Sequence, residues 1–160
     1  MASRPKPHDH AACVSDAMAR AEHICAETGA RFTPLRRRVL ERIWAGHKPT
    51  GAYEILEDLG RDDGKPVAPV TVYRALDFLM AHGLVHRLNS LNAFIGCPRA
   101  GAGHEAVFLI CEDCKRVAEI DDPAVGETLA RDAADQGFSV STQMIEVMGR
   151  CPDCQAAAHG

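Results

Sequence analysis

The thiols of CEDC, Cys111 and Cys114, are answered later in the chain by those of CPDC, Cys151 and Cys154. A Cys-x-x-Cys turn brings two sulfurs within reach of one ion, and two such turns complete the four-sulfur tetrahedral shell that structural zinc prefers. A dithiol redox centre would need a single pair, placed after a strand at a helix start, so the duplication favours metal binding. Disulfides are disfavoured on other grounds. The opening residues MASRPKPHDHAACVSDAM contain no apolar core of signal-peptide length, which implies a cytoplasmic, reducing location. We therefore assign Cys111, Cys114, Cys151 and Cys154 to a structural zinc. The competing reading from another class is a cytosolic thiol enzyme whose Cys-x-x-Cys pairs cycle through disulfides. No local Ser/His/Asp set or phosphate-cradling glycine loop supports an enzyme of another kind, and none is expected.

The metal-bearing residues sit in a chain of 160 residues, long enough for one ordinary domain or two small ones. No apolar run approaches the ~20 residues that span a bilayer, so no membrane partner is expected. The net charge of -4 argues against nucleic acid until the halves are separated. Residues 1–90 carry 13 Lys and Arg against 11 Asp and Glu, whereas residues 91–160 carry 5 against 11. The acidity is confined to the cysteine-bearing half, leaving the first half able to meet a polyanion.

The elements that must position these groups follow from periodicity. Val14, Met18, Ala21, Ile24 and Cys25 recur at helical spacing between about Ala11 and Thr28, with Gly29 as a stop. Thr33 before Pro34 caps a second helix with Leu35, Val39, Leu40, Ile43 and Trp44 on one face. Thr50 opens a third, carrying Tyr53, Ile55, Leu56 and Leu59 up to the break RDDGKP. APVTVYRALDFLMAHG predicts a fourth, with Val72, Leu76, Leu79 and Met80 inward. LVHRLNSLNAFIGC alternates around an Asn/Ser turn, as a hairpin does. Helices followed by a hairpin give the order of a winged helix-turn-helix. Beyond a Gly/Ala-rich loop come VFLIC, RVAEI, a helix near Pro123 to Gln136, and FSVSTQMIEVMGRC as strand. The expected class is α+β: an N-terminal winged helix-turn-helix domain (residues 1–98), a hinge loop (99–103) and a small zinc-stapled α+β domain (104–160).

On the fourth helix the residues near its start and off the apolar stripe are Thr71, Tyr73 and Arg74, placed to enter a DNA groove. An arginine fork matches guanine edges or phosphate, and an aromatic ring can meet a thymine methyl. Arg36, Arg37 and Arg38 could add phosphate contacts, or form ordinary solvated surface.

RFTPLRRRVL, PVTVYRALDFL and GLVHRL, followed by CEDC and CPDC, make the chain from about Ala17 to Cys154 resemble the ferric uptake regulator family of metal-responsive repressors. The resemblance implies a winged helix joined to an α+β dimerisation domain. It also implies a homodimer on double-stranded operator DNA and a TVYRAL reading helix whose Tyr73 and Arg74 touch the operator.

Four candidate ligands remain after the cysteine knuckles: His86 at the start of the hairpin, Cys97 at its end, His104 and Glu119. Two imidazoles, a thiolate and a carboxylate suit tetrahedral zinc, and the sulfur disfavours a hard, oxygen-seeking ion. His104 and Cys111 are an odd number of residues apart, so an unbroken strand would direct them to different faces and different sites. The four positions resemble the zinc-sensing branch of the family. The iron branch has a His-His-Asp-His run before the first knuckle, where this chain has HEAVFLIC with Ala106, Val107 and Phe108. The implied function is a zinc-activated repressor of zinc uptake genes holding two zinc ions per chain. An iron- or peroxide-sensing regulator is the alternative within the family. Cys25 is assigned to packing; Cys13, His8, Asp9, His10 and His159 receive no role.

Overall fold

The computed structural model describes residues 10–46, 48–101 and 106–157. The chain divides into two compact units, Met1–Ala102 and Gly103–Gly160. Among the described residues no helix is long and apolar enough to cross a membrane.

In the first unit, helix α1 (His10–Glu27) buries Ala17, Met18, Ala21 and Cys25. Helix α2 (Pro34–Trp44) starts where Thr33 caps it, its hydroxyl accepting from the Arg36 N–H at 3.4 Å, with proline at the first turn. Strand β1 (Thr50–Gly51) leads into α3 (Ala52–Asp63), and α4 (Pro69–Ala81) follows a turn. The wing is β2 (Val85–Leu88) and β3 (Ala93–Gly96), antiparallel with Val85 opposite Gly96 and His86 opposite Ile95. Strand β1 adds to β3, giving the order β1-β3-β2. Val39, Leu40 and Ile43 of α2, Ile55 and Leu59 of α3, and Val72, Leu76 and Leu79 of α4 close over Leu84, Val85 and Phe94. Each fully buried Leu or Ile here stabilises the unit by about 1.5–3 kcal/mol, so the wing and α4 belong to one core.

In the second unit β4 (Val107–Cys111) is central, antiparallel to β5 (Val117–Ile120) and parallel to β6 (Ile145–Gly149). Helix α5 (Pro123–Asp135), capped by Asp122, makes the crossover that a parallel pair needs. A short α6 (Pro152–Ala157) ends the described chain.

Three expectations are corrected. Thr50 does not open α3, because its backbone pairs with Phe94 in the sheet and the first helical residue is Ala52. The Gly51 N–H is instead capped by the Glu54 carboxylate at 2.7 Å. The helix also runs through Arg61, Asp62 and Asp63 and stops only at Gly64, whose φ of 64° lies in the left-handed region. FSVSTQMIEVMGRC yields strand only from Ile145 to Gly149, and the second knuckle begins a helix that periodicity did not suggest.

Candidate metal centre and nucleic-acid face

Parallel pairing of β4 with β6 is what assembles the four cysteines. Cys111 lies opposite Gly149, so both strands leave the sheet at the same end and each enters its knuckle there. The four Sγ atoms all lie within 4.8 Å of one another, and Cys114 and Cys151 are separated by 3.7 Å. A tetrahedron with zinc–sulfur bonds of about 2.3 Å has edges of about 3.8 Å. Donor set and spacing therefore fit zinc, and four protein ligands make a closed, structural site. The first knuckle is shaped by its own backbone: the Cys111 N–H donates to Arg116 O at 2.9 Å and the Lys115 N–H to Cys111 O at 3.0 Å, with Lys115 at φ 59°.

Backbone N–H groups also prepare one sulfur for metal. Those of Cys114 and Cys151, with Asp113, point at Cys111 and lower its pKa from 9.0 to about 6. The Cys151 N–H donates to Cys111 Sγ at 3.3 Å. Cys154, sharing its proton with Cys151 and Cys114, is pushed up to about 12. The metal-free cluster thus pairs a ready thiolate with a reluctant thiol.

Two ion pairs cross between the knuckles. Arg116, just after the first, meets Asp153 inside the second at 2.6 Å. Arg150, just before the second, meets Asp113 inside the first at 3.2 Å. Sequence reasoning missed this exchange, whose only signal was an Asp inside each knuckle and an Arg beside it. Both pairs are largely exposed, so solvent screens them and they mainly fix the knuckles relative to each other.

Of the remaining candidate ligands, His86 and Cys97 belong to the wing. His86 faces Ile95 in the ladder, and the Cys97 N–H extends it by donating to Leu84 O at 3.0 Å. Residues directly opposite share a face, so His86 and Cys97 occupy the same face at diagonal positions. Cys97 is buried and His86 half-buried. The opposite face at this point carries Gly96, where Trp44 fills the space a side chain would take. Glu119 lies on β5 in the second unit, in one row with Phe108 and Glu146. His104 lies outside the described residues, and so does the strand parity argument that involved it.

Helix α4 buries Val72, Ala75, Leu76 and Leu79 and turns Thr71, Tyr73 and Arg74 outward. Arg74 has no carboxylate partner among the described residues. The arginine run of α2 behaves otherwise. The Arg36 guanidinium lies 3.5 Å from the Phe78 ring centroid and donates to Arg31 O, Arg37 pairs with Glu22, and Arg38 meets Asp63 at 2.9 Å. These side chains stitch helices together, which weakens their reading as phosphate contacts. Tyr53, counted in the apolar stripe of α3, is 73% exposed. It lines an open groove of about 540 Å³ with Leu56, Val67 and Pro69. Cys25 is buried as expected for packing, and burial raises its pKa.

Comparison with known proteins matches residues 27–148 to the ferric uptake regulator family. The zinc uptake regulation protein of Escherichia coli strain K12 is 36% identical over 138 residues, covering 86% of this chain and 80% of that protein. The crystal structure of holo XcZur shares 44% identity at a TM-score of 0.80, over 89% of this chain and 99% of that one. A zinc uptake regulator complexed with zinc and DNA superposes at a TM-score of 0.85 with 32% identity, over 92% of this chain and 98% of that one.

Proposed function

Because the chain belongs to the ferric uptake regulator family, we propose that it is a zinc-responsive transcriptional repressor, binding operator DNA as a homodimer with zinc as co-repressor and controlling zinc uptake genes. The single observation that carries the metal half is the placement of His86 and Cys97 on one face of the hairpin that directly follows the reading helix. Relatives whose names include zinc uptake support the same metal.

In this reading Cys111, Cys114, Cys151 and Cys154 hold one zinc ion as a staple, and His86, Cys97, His104 and Glu119 hold a second as the sensor. Zinc supplies a positive centre that the imidazoles, thiolate and carboxylate can share. Ligands drawn from the winged-helix domain (residues 1–98) and from beyond the hinge loop (99–103) make occupancy sensitive to how the two regions are disposed. Residues 104–160 form the dimerisation domain. Leu109, Ala118 and Val147 share one row on the sheet face that also bears Ile120. Leu109, Ile120 and Val147 are 39%, 41% and 47% exposed, an apolar face that a second copy would cover. A dimer presents two copies of α4 at a fixed spacing, so Thr71, Tyr73 and Arg74 read two half-sites only in the properly disposed form. Zinc then selects the DNA-ready state.

Metal analysis and a zinc titration of DNA binding, run on wild type and Cys97→Ser, test the proposal. The variant is expected to keep the four-cysteine zinc and the dimer while losing zinc-stimulated binding. Two zinc ions per chain and wild-type zinc dependence in Cys97→Ser would overturn the sensory site.

A further inference from the structure

Some basic side chains of the first unit are paired with carboxylates, and others, Arg74 and Arg87 among them, are not paired with one among the described residues. Arg37, Arg38, Arg42 and Arg61 are each set against a carboxylate, of Glu22, Asp63 with Asp62, Asp62, and Asp58. Their charge is neutralised within the fold. Arg87 differs. It is exposed on β2, and the partner the structure gives it is the neutral side-chain oxygen of Asn92, which accepts from Arg87 Nη2 at 3.1 Å. The bond orients the guanidinium without cancelling its charge and leaves most of its five N–H groups to donate elsewhere. Asn92 is itself fixed: it closes the wing turn with its N–H on Asn89 O at 3.3 Å and has a φ of 47°, a backbone that asparagine tolerates better than most residues.

The place of Arg87 in the sheet matters as much as its charge. It lies opposite Phe94, which in turn lies opposite Thr50, the residue that leads into α3. Phe94 is packed in the core that holds Val72, Leu76 and Leu79 of α4. A cation on this row is therefore rigidly tied to the helix that carries Arg74, yet it stands on the edge strand of the sheet, outside that helix. An oriented, uncompensated guanidinium beside a reading helix suits a phosphate oxygen, which accepts paired N–H donors.

We infer that Arg87, positioned by Asn92, is a phosphate clamp of the wing: it contacts the DNA backbone next to the groove that α4 enters and sets the register of the helix without reading bases. The inference rests on the proposed role as a DNA-binding regulator.

The test uses the full-length, zinc-loaded protein and two duplexes, one selected from a random pool by the wild type and one of unrelated sequence. Each phosphate contact contributes a salt slope of about -0.9 in log K against log salt, equivalent to about eightfold in affinity at 0.1 M relative to 1 M salt. Arg87→Ala should reduce the slope by about 0.9 for each wing engaged and weaken both duplexes by the same factor, with zinc content and circular dichroism unchanged. Asn92→Gly, which keeps the turn backbone and removes the amide, should weaken binding by a smaller factor and leave the slope intact. Wild-type affinity and slope in Arg87→Ala would overturn the clamp. So would a loss confined to the selected duplex, which would mark a base contact instead. A zinc-loaded wild type that binds neither duplex would refute the regulator reading and the clamp together, whereas an inert Arg87→Ala in a DNA-binding wild type refutes the clamp alone.

Discussion

Gly96→Ala tests the packing that seats the wing on α2. A methyl group at this position would lie 2.7 Å from Trp44 Cζ2 and nearer still to Cε2 and Nε1, against ordinary contacts of 3.4–4 Å. The indole is a rigid bicycle, so either Trp44 or the strand must move. Overpacking of this kind costs about 1–3 kcal/mol. The substitution also removes backbone freedom from the unfolded chain, an opposing gain of about 0.5–1 kcal/mol. Gly46→Ala supplies the second effect alone: Gly46 lies in the same unit, and a methyl there meets nothing nearer than the Lys48 backbone nitrogen at 3.9 Å. The difference between the two variants cancels the unfolded-state gain and should equal the overpacking cost. Urea unfolding followed by the fluorescence of Trp44, the sole tryptophan, measures it directly in the relevant unit. Gly96→Ala should fall about 1–3 kcal/mol below Gly46→Ala, with a shifted emission maximum. Equal stability of the two variants would refute the packing argument. Because Cys97 is the next residue, the same strain should also weaken sensory zinc binding, while structural zinc stays unchanged.

Cys154→Ser should lose one zinc per chain and, with it, the fold and dimerisation of the second unit, since structural zinc sites supply about 10–16 kcal/mol of apparent binding free energy to small domains. A folded, dimeric Cys154→Ser protein would contradict this. Structural zinc affinity should fall as pH is lowered. Cys154, at about 12 in the metal-free cluster, must release a proton at every lower pH, which gives at least a tenfold loss per pH unit through neutrality. Cys111 adds its own proton only as pH falls through about 6. Competition with a chelator between pH 6 and 9 measures the slope, and a flat profile would refute the assignment. Arg74→Ala should retain both zinc ions and weaken binding to selected DNA by about 1–3 kcal/mol if it reads a base edge. Equal weakening on unrelated DNA would make it a backbone contact.

The four-cysteine centre was legible in the sequence because each knuckle is local: two ligands per turn are fixed by spacing, and only the meeting of the turns depends on the fold. Thr33-Pro34 marked the start of α2 for the same reason, a cap being decided by its immediate neighbours. What escaped was set by distant partners. Thr50 and Gly51 become strand only because Phe94 and Ala93 return beside them. Tyr53 keeps helical spacing with Leu56 but points outward, since an aromatic ring satisfies an apolar pattern whether or not anything covers it. The arginines of α2 looked like a basic patch until Glu22, Asp62 and Asp63 arrived opposite them. The proposed sensory quartet would require residues far apart in sequence to converge, which no spacing encodes; the wing contributes His86 and Cys97 from one hairpin face, and His104 lies outside the described residues.

In the proposed regulator, zinc and operator DNA stabilise the same form of the protein. Thermodynamic reciprocity makes this measurable: the factor by which sensory zinc tightens DNA binding must equal the factor by which DNA tightens sensory zinc binding. Free zinc is titrated against the protein in a chelator-buffered series, with and without the selected duplex, while fluorescence anisotropy follows DNA binding. Tight DNA binding is expected only when the proposed second zinc site fills, and the zinc midpoint should shift to lower concentration, by the matching factor, when DNA is present. DNA affinity that is the same with the second site empty and full, and a zinc midpoint that DNA does not move, would contradict it.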